Sequence, residues 1–415
     1  MISRFVRLHL TALALGVLWW YWFTKKQPVE LYGYTHPRFE AVRRMFRDMI
    51  QSDREGAAMA VLHKNDLVVD LYGGYADREA GKPWTKDTMA VAYSTTKIWA
   101  GLAAAILASR GLLQYDRKVT TFWPEFAKHG KDGISVRDAG LVSFGREFGL
   151  EEASQDHVIS SLIEEAVPLW APGTRRGYHA LTYGFLVDEV IKRLHPQNCS
   201  VSQIYDEEIW SEGVSFSIGS PLQNHDNIAV ISNPPLWESV IAHLKRPLSL
   251  LNSIWSHIQY HGLAMTSANY PYFLGIMRKD TVPYNDPKVT QLPLISCMGI
   301  GTAEGFAKAV RQVFQKKLIS DRVWDLLSCP TATEEDIVLS SVKSFGHGFI
   351  YEPHPTYEGE WIIRIVGNGL QVVELDRKEE VIIVMLRNGL RAGNDGAAEY
   401  EEISRTIYQI VKRNT

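Results

Sequence analysis

The sequence predicts an α+β protein. One antiparallel β-sheet is flanked by N- and C-terminal helices, and a mostly helical lobe is inserted between its two halves. Three observations point there. Strand-like apolar runs occur at 57–62 and 67–72, and strand signals, now rich in Ile and Val, return only from residue 346. The text from 112 to 330 reads as helical segments and long loops. Between them, residues 95–110 (TTKIWAGLAAAILASR) are apolar almost all round, as a buried central helix requires.

The elements follow in order. Leu8 to Phe23 carries no charge, with Arg4 and Arg7 before it, Lys25 and Lys26 after it, and an aromatic cluster at Trp19–Trp22. A bilayer core needs about 20 apolar residues, and tilt or local thinning can cover a small shortfall. No small-residue cleavage site follows. Residues 1–26 therefore read as an uncleaved single-pass membrane anchor, with an organelle-targeting segment as the other reading. Residues 27–36 read as a linker, and 37–415 as the globular domain. Val42, Met45, Phe46, Met49 and Ile50 recur at helical spacing, so 37–51 is an amphipathic helix. Ala57–Leu62 and Leu67–Tyr72, joined by His63-Lys64-Asn65-Asp66, form a hairpin signature.

Toward the other end, Gly346–Tyr351, Trp361–Val366, Leu370–Leu375 and Val381–Leu386 read as strands, with Asp376–Glu380 as the turn between the last two. Tyr400, Ile403, Ile407, Ile410 and Val411 mark one face of a final helix. Strands at both ends then share one sheet: 37–111 and 331–415 form an α/β lobe, and 112–330 the helical lobe.

Composition narrows the function. The chain has 415 residues, 46% of them hydrophobic and 22% charged, enough for a large core. A net charge of -3 argues against nucleic acid as a partner. Cys199, Cys297 and Cys329 are too few and too dispersed for a disulfide framework or a zinc site. No metal motif, P-loop or G-x-S-x-G elbow occurs, so neither a metal nor a cofactor is expected. Asn198-Cys199-Ser200 is a glycosylation sequon, usable only in the secretory lumen.

Chemistry concentrates at Ser94-Thr95-Thr96-Lys97. Residues three apart share a helix face, so hydroxyl and amine can meet. A serine needs a base to take its proton, and burial lowers a lysine pKa enough to supply one. A helix N-terminus also offers unpaired N–H groups to an oxyanion. About one or two S-x-x-K matches arise by chance in a chain this long, and a second copy, Ser340-Ser341-Val342-Lys343, does occur. It precedes a strand rather than a buried helix and reads as a solvated loop.

Several segments together carry a family likeness. Residues 67–78 (LVVDLYGGYADR), 93–97 (YSTTK), 110–125 (RGLLQYDRKVTTFWPE) and 169–186 (LWAPGTRRGYHALTYGFL) resemble the serine β-lactamase, penicillin-binding-protein and esterase superfamily. The closest branch is the class C-like one, with its family VIII carboxylesterases. The resemblance covers most of the chain after residue 30. It implies a β-lactamase/transpeptidase-like fold and a serine hydrolase acting on an ester, amide or peptide-like acyl substrate through an acyl-Ser94 intermediate. It implies that Tyr178 shares the Ser94 proton with Lys97, which would pull the phenol pKa down. It also implies that Ser94 and Asn368, just after Gly367, supply the backbone donors of an oxyanion hole.

The departures are specific. Many relatives have Tyr-x-Asn where this chain has Tyr178-His179-Ala180, which tilts the expectation from β-lactams toward esters. His179 is a candidate substrate contact or a supporting histidine. The third motif, usually Lys or His, a small residue and Gly, falls on Ile365-Val366-Gly367 and lacks its cation. Arg364 is adjacent, but strand alternation points it away. The text around Ser143-Phe144-Gly145 lacks a histidine common in relatives. The altered motif leaves a catalytically weak scaffold or assembly protein at a membrane as the alternative function. Among membranes, the secretory pathway is preferred and the mitochondrion is the alternative; oligomeric state is left open.

Overall fold

The computed structural model describes residues 29–137, 142–143, 148–220, 222–235, 282–339, 341–391 and 396–412, with isolated positions between 238 and 274. From the N-terminal side come β1 (Leu31–Thr35), α1 (Glu40–Ser52), β2 (Gly56–His63), β3 (Asp66–Asp77) and β4 (Ala90–Val91). A 3₁₀ turn, Tyr93–Lys97, leads into α2 (Ile98–Ser109). The middle contributes α3 (Thr182–Leu194), β5 (Phe216–Ile218), β6 (Gly299–Gly301) and α4 (Ala303–Gln315). The C-terminal end adds β7 (Ala332–Asp336), β8 (Ser341–Gly346), β9 (Phe349–Pro353), β10 (Trp361–Gly367), β11 (Gln371–Asp376), β12 (Val381–Arg387) and α5 (Ala397–Lys412).

The two ends of the chain meet in one sheet, in the order β1-β3-β2-β12-β11-β10-β9-β8-β7. The junction is β2 against β12, antiparallel from Ala57↔Arg387 to His63↔Val381. Both strands, and β11, are buried almost throughout, because helices cover both faces. On one face α1 and α5 pack together; α1 buries Val42, Phe46, Met49 and Ile50, and α5 buries Tyr400, Ile403, Ile407 and Val411. On the other, α4 lies on β2 and β12, and the 3₁₀ turn before α2 lies against β10. Helix α2 buries residues all round, as its composition requires.

Several expectations change. Residues 27–36 are not simply a linker: Leu31–Thr35 is an edge strand paired with β3, from Leu31↔Gly73 to Thr35↔Val69. Gly33, at φ 100, interrupts the alternation that would have announced it. Gly346–Tyr351 is not one strand but a hairpin whose turn residues, His347 and Gly348, both take left-handed φ values (52 and 90), the signature of a tight two-residue turn. The mostly helical middle also holds strands: β6 pairs with β5 and β4 in a separate three-stranded sheet. The second S-x-x-K copy falls largely within strand β8, and its Ser340 lies outside the described residues. So do Phe144, Gly145 and the expected anchor. Among the described residues, no helix is long and apolar enough to cross a membrane.

Candidate active site

Ser94 sits in the 3₁₀ turn rather than in the α-helix proper. The difference matters, because side chains at i and i+3 eclipse in a 3₁₀ helix. Ser94 and Lys97 are thereby brought to one side, with Lys97 Nζ 3.3 Å from Ser94 Oγ. Tyr93, just before the nucleophile, is buried with φ 47, a conformation that costs a non-glycine residue and that the surrounding structure must enforce. The enforcing contacts are visible: Ala92 N–H donates to Gly299 O, and the Ala92 carbonyl accepts from both the Thr95 N–H and the Thr95 hydroxyl.

Tyr178 approaches from the segment before α3, and its hydroxyl donates to Ser94 Oγ at 2.8 Å. The three proton-handling groups, 84 positions apart at most, therefore converge on one oxygen. Lys97 Nζ also donates to the carbonyls of Ala180 at 2.7 Å and Ser296 at 2.8 Å, and it lies 5.0 Å from the centre of the Tyr178 ring. A neutral lysine amine has two N–H groups and one lone pair. Two carbonyls consume the donors and leave the lone pair for the Ser94 hydroxyl.

Burial sets the protonation states. It pulls the Lys97 ammonium down to about 7, so that near neutral pH a large share is free amine. It pushes the Tyr178 phenol up to about 12. The expected pull of Lys97 on Tyr178 is thus outweighed, because a half-neutral amine gives little attraction while desolvation acts in full. Near neutral pH Tyr178 is therefore a phenol, able to donate a proton, and Lys97 is a group able to accept one. His179 is buried beside them, held down to about 3 by burial and then by Lys97, so its ring is neutral. Its Nε2 has no partner.

Gly367 ends β10 beside the turn that carries Ser94. A Cβ on Gly367 would stand 2.9 Å from Ala92 O and 3.1 Å from Ser94 N, so only glycine lets β10 reach the nucleophile turn. Ile365 is buried toward the interior. Arg364 turns to the opposite face, where it meets Glu374 at 2.6 Å, Glu401 at 2.6 Å and the Ser404 hydroxyl at 3.1 Å. Asn368 is exposed just past the strand, its carbonyl accepting from Gln371 Nε2 at 3.4 Å.

Two supporting residues left no trace in the sequence. Asp336, at the end of β7, accepts through Oδ1 from the backbone N–H of Tyr178 (3.2 Å), Val338 (3.0 Å) and Leu339 (2.9 Å), fixing the segment that carries the phenol. Ser296 accepts from Gly184 N–H at 2.6 Å and donates to Leu181 O at 2.7 Å, tying the start of α3 to the carbonyl that holds Lys97. Both act through backbone groups, which no residue pattern encodes. Among the described residues, no cluster of His, Cys, Asp or Glu is arranged to hold a metal.

The chain is similar to known proteins in sequence and in fold. The sequence profile of the Beta-lactamase family matches residues 42–406. The esterase/beta-lactamase LipL of Mycobacterium tuberculosis is 36% identical over 165 residues, 38% of this chain and 38% of LipL. A beta-lactamase of Escherichia coli is 25% identical over 177 residues, 41% of this chain and 45% of that protein. The matched stretches span less than half the length of either relative. Among solved structures, a penicillin-binding protein homologue from Caulobacter crescentus gives a TM-score of 0.74 at 24% identity, covering 92% of this chain and 100% of the other. A family VIII carboxylesterase gives 0.75 at 22% identity, with 92% and 100% covered. These structural likenesses establish the fold, and the profile match establishes the lineage: the chain belongs to the Beta-lactamase family.

Proposed function

We propose that the protein is a serine hydrolase that transfers the acyl group of an ester, amide or peptide-like substrate to Ser94 and then to water. One observation carries the reading: Ser94 Oγ lies within hydrogen-bond reach of a phenol at 2.8 Å and near a buried amine at 3.3 Å. In the forward step, Lys97 accepts the Ser94 proton as Oγ bonds to the substrate carbonyl carbon. The oxyanion would face the N–H of Ser94, which has no acceptor in the first turn of its own helix, and the N–H of Asn368. Collapse of this intermediate breaks the bond to the leaving group, which departs with the Tyr178 proton, and Lys97 returns its proton to Tyr178. Water then attacks the acyl-Ser94 ester by the reverse route.

Esters are the preferred substrates in this reading. Ala180 offers a carbonyl to Lys97 but no carboxamide to a substrate amide. Ile365 offers no cation to a substrate carboxylate. An active-site-directed phosphonate probe tests the reading: wild-type protein is labelled and the Ser94→Ala variant is not. Equal labelling of both rejects it. We further propose that the uncharged stretch 8–23 holds the domain at a membrane. Retention of the full chain, and not of a chain starting at residue 29, in the pellet after alkaline carbonate extraction supports this; equal release of both overturns it.

A further inference from the structure

Behind the catalytic pair lies a cavity of about 210 Å³. Lys97, Tyr178 and His179 form one wall of it. Helix α2 contributes Ala104, and α3 contributes Leu186, Val187 and Val190; Phe349 and Ile365 close it from the sheet. The lining is thus mainly aliphatic. Ile365 stands where relatives carry the cation of the third motif, so the substitution that removes a charge also widens this apolar wall.

The cavity is not a dry packing defect. Four of its side chains, each at least nine-tenths buried, have polar atoms without partners: His179 Nε2, both ring nitrogens of His347, Tyr115 Oη and Asp336 Oδ2. Buried polar atoms in native proteins are normally satisfied by protein, water or ligand. Of the other charged groups on the wall, Arg137 pairs with Asp116 at 2.9 Å but leaves its Nε without a partner, and Arg176 pairs with Glu334 at 2.8 Å. Both histidines are neutral, since burial lowers each. The space is therefore large enough for several waters and mostly apolar. A chain that displaces loosely held water from such walls gains affinity.

We propose that this cavity is the acyl-chain subsite of Ser94 and that it takes a mainly apolar acyl group. The proposal rests on the hydrolase reading for the word acyl, but the cavity itself can be tested without turnover. The shared wall explains the coupling. Lys97 and Tyr178 touch both Ser94 and the cavity, so a substrate carbonyl held at Ser94 lies beside the cavity wall.

The test has two arms. In the first, octanamide, an unreactive neutral probe, is titrated into the Ser94→Ala protein by calorimetry. Saturable binding is expected, weakened about tenfold or more when Val187→Trp fills the cavity. Ala104→Leu, a milder filling on a different helix, should weaken it in the same direction, which separates blocking from misfolding. No saturable binding, or binding untouched by both fillings, overturns the proposal. In the second arm, kcat/KM is measured for p-nitrophenyl acetate and octanoate. The octanoate-to-acetate ratio should exceed about ten and should collapse in Val187→Trp. Acetate turnover lost in Ser94→Ala, with no chain-length preference, leaves the hydrolase standing and removes the subsite. A chain-length preference seen only in the alcohol of alkyl acetates overturns the acyl assignment. Octanamide binding with no phosphonate labelling of Ser94 keeps the cavity and rejects the hydrolase.

Discussion

If Lys97 takes the Ser94 proton, kcat/KM follows the fraction of Lys97 present as amine. Burial holds its pKa down to about 7, against an ordinary lysine value of about 10.4. The sign is fixed by the chemistry: an ammonium cannot accept a proton, so the rate is lost as pH falls through about 7 and levels off above it. Two pH units below that midpoint only about 1% is amine, so the rate at pH 5 should be about a hundredfold below its alkaline plateau. The descending limb belongs to Tyr178, pushed up to about 12, and lies beyond ordinary assay range. Lys97→Arg has no accessible neutral form, so the ascending limb should vanish and the residual rate fall by about 10²–10⁴. Initial rates of p-nitrophenyl acetate hydrolysis from pH 5 to 10, less the rate of Ser94→Ala, give the profile. A flat profile across pH 5–8, or a midpoint near 10, refutes the assignment of Lys97 as the base. The same depression has a thermodynamic face. Between about 7 and 10.4 the unfolded chain binds the proton that the folded chain rejects, so Lys97's contribution to stability improves as pH rises through that window.

Other predictions follow from single contacts. Tyr178→Phe removes the 2.8 Å hydrogen bond to Ser94 Oγ and should lower kcat by about 10²–10⁴ with little change in thermal midpoint. Gly367→Ala would place a methyl 2.9 Å from Ala92 O and 3.1 Å from Ser94 N, pushing the nucleophile turn aside; kcat/KM should fall about a hundredfold while circular dichroism stays native. Glu374→Ala removes the buried partner of Arg364 Nε, leaving the guanidinium only Glu401 and Ser404, and takes the acceptor from Tyr400 (2.9 Å) and Ser404 (3.0 Å), so urea unfolding should show a loss of about 3 kcal/mol.

Much of this was legible in the residues, for physical reasons that differ by element. Helices α1 and α5 announced themselves because each covers the sheet with one apolar stripe, β2 and β3 because two apolar runs flank a polar turn, and β11 and β12 because buried strands are dense in Val and Ile. Arg364 was placed correctly by alternation alone, since neighbouring side chains on β10 must face opposite sides. Strand β1 was missed because Gly33 breaks its pattern, and β4, β5 and β6 because two or three residues carry no periodicity. The hairpin turn at His347-Gly348 lay inside an apolar run and was hidden by it. In the candidate site, Ser94 and Lys97 were proposed from a short pattern and Tyr178 from the resemblance of its flanking text, and the structure brings the three together. Asp336 and Ser296 were not, because a carboxylate gripping three amides and a hydroxyl bridging two backbone groups leave no spacing to read. The protonation of Tyr178 was misjudged because a sequence shows which groups are neighbours but not how much water each has lost.

The account stands on Ser94 becoming covalently acylated in the course of turnover. Acid quenching during hydrolysis of p-nitrophenyl octanoate, followed by peptide mass spectrometry, measures this directly. The account predicts an octanoyl mass increase on the peptide carrying Ser94, more persistent in Tyr178→Phe if the second step also needs the phenol. Turnover with no adduct on Ser94, or an adduct on another residue that survives Ser94→Ala, contradicts it.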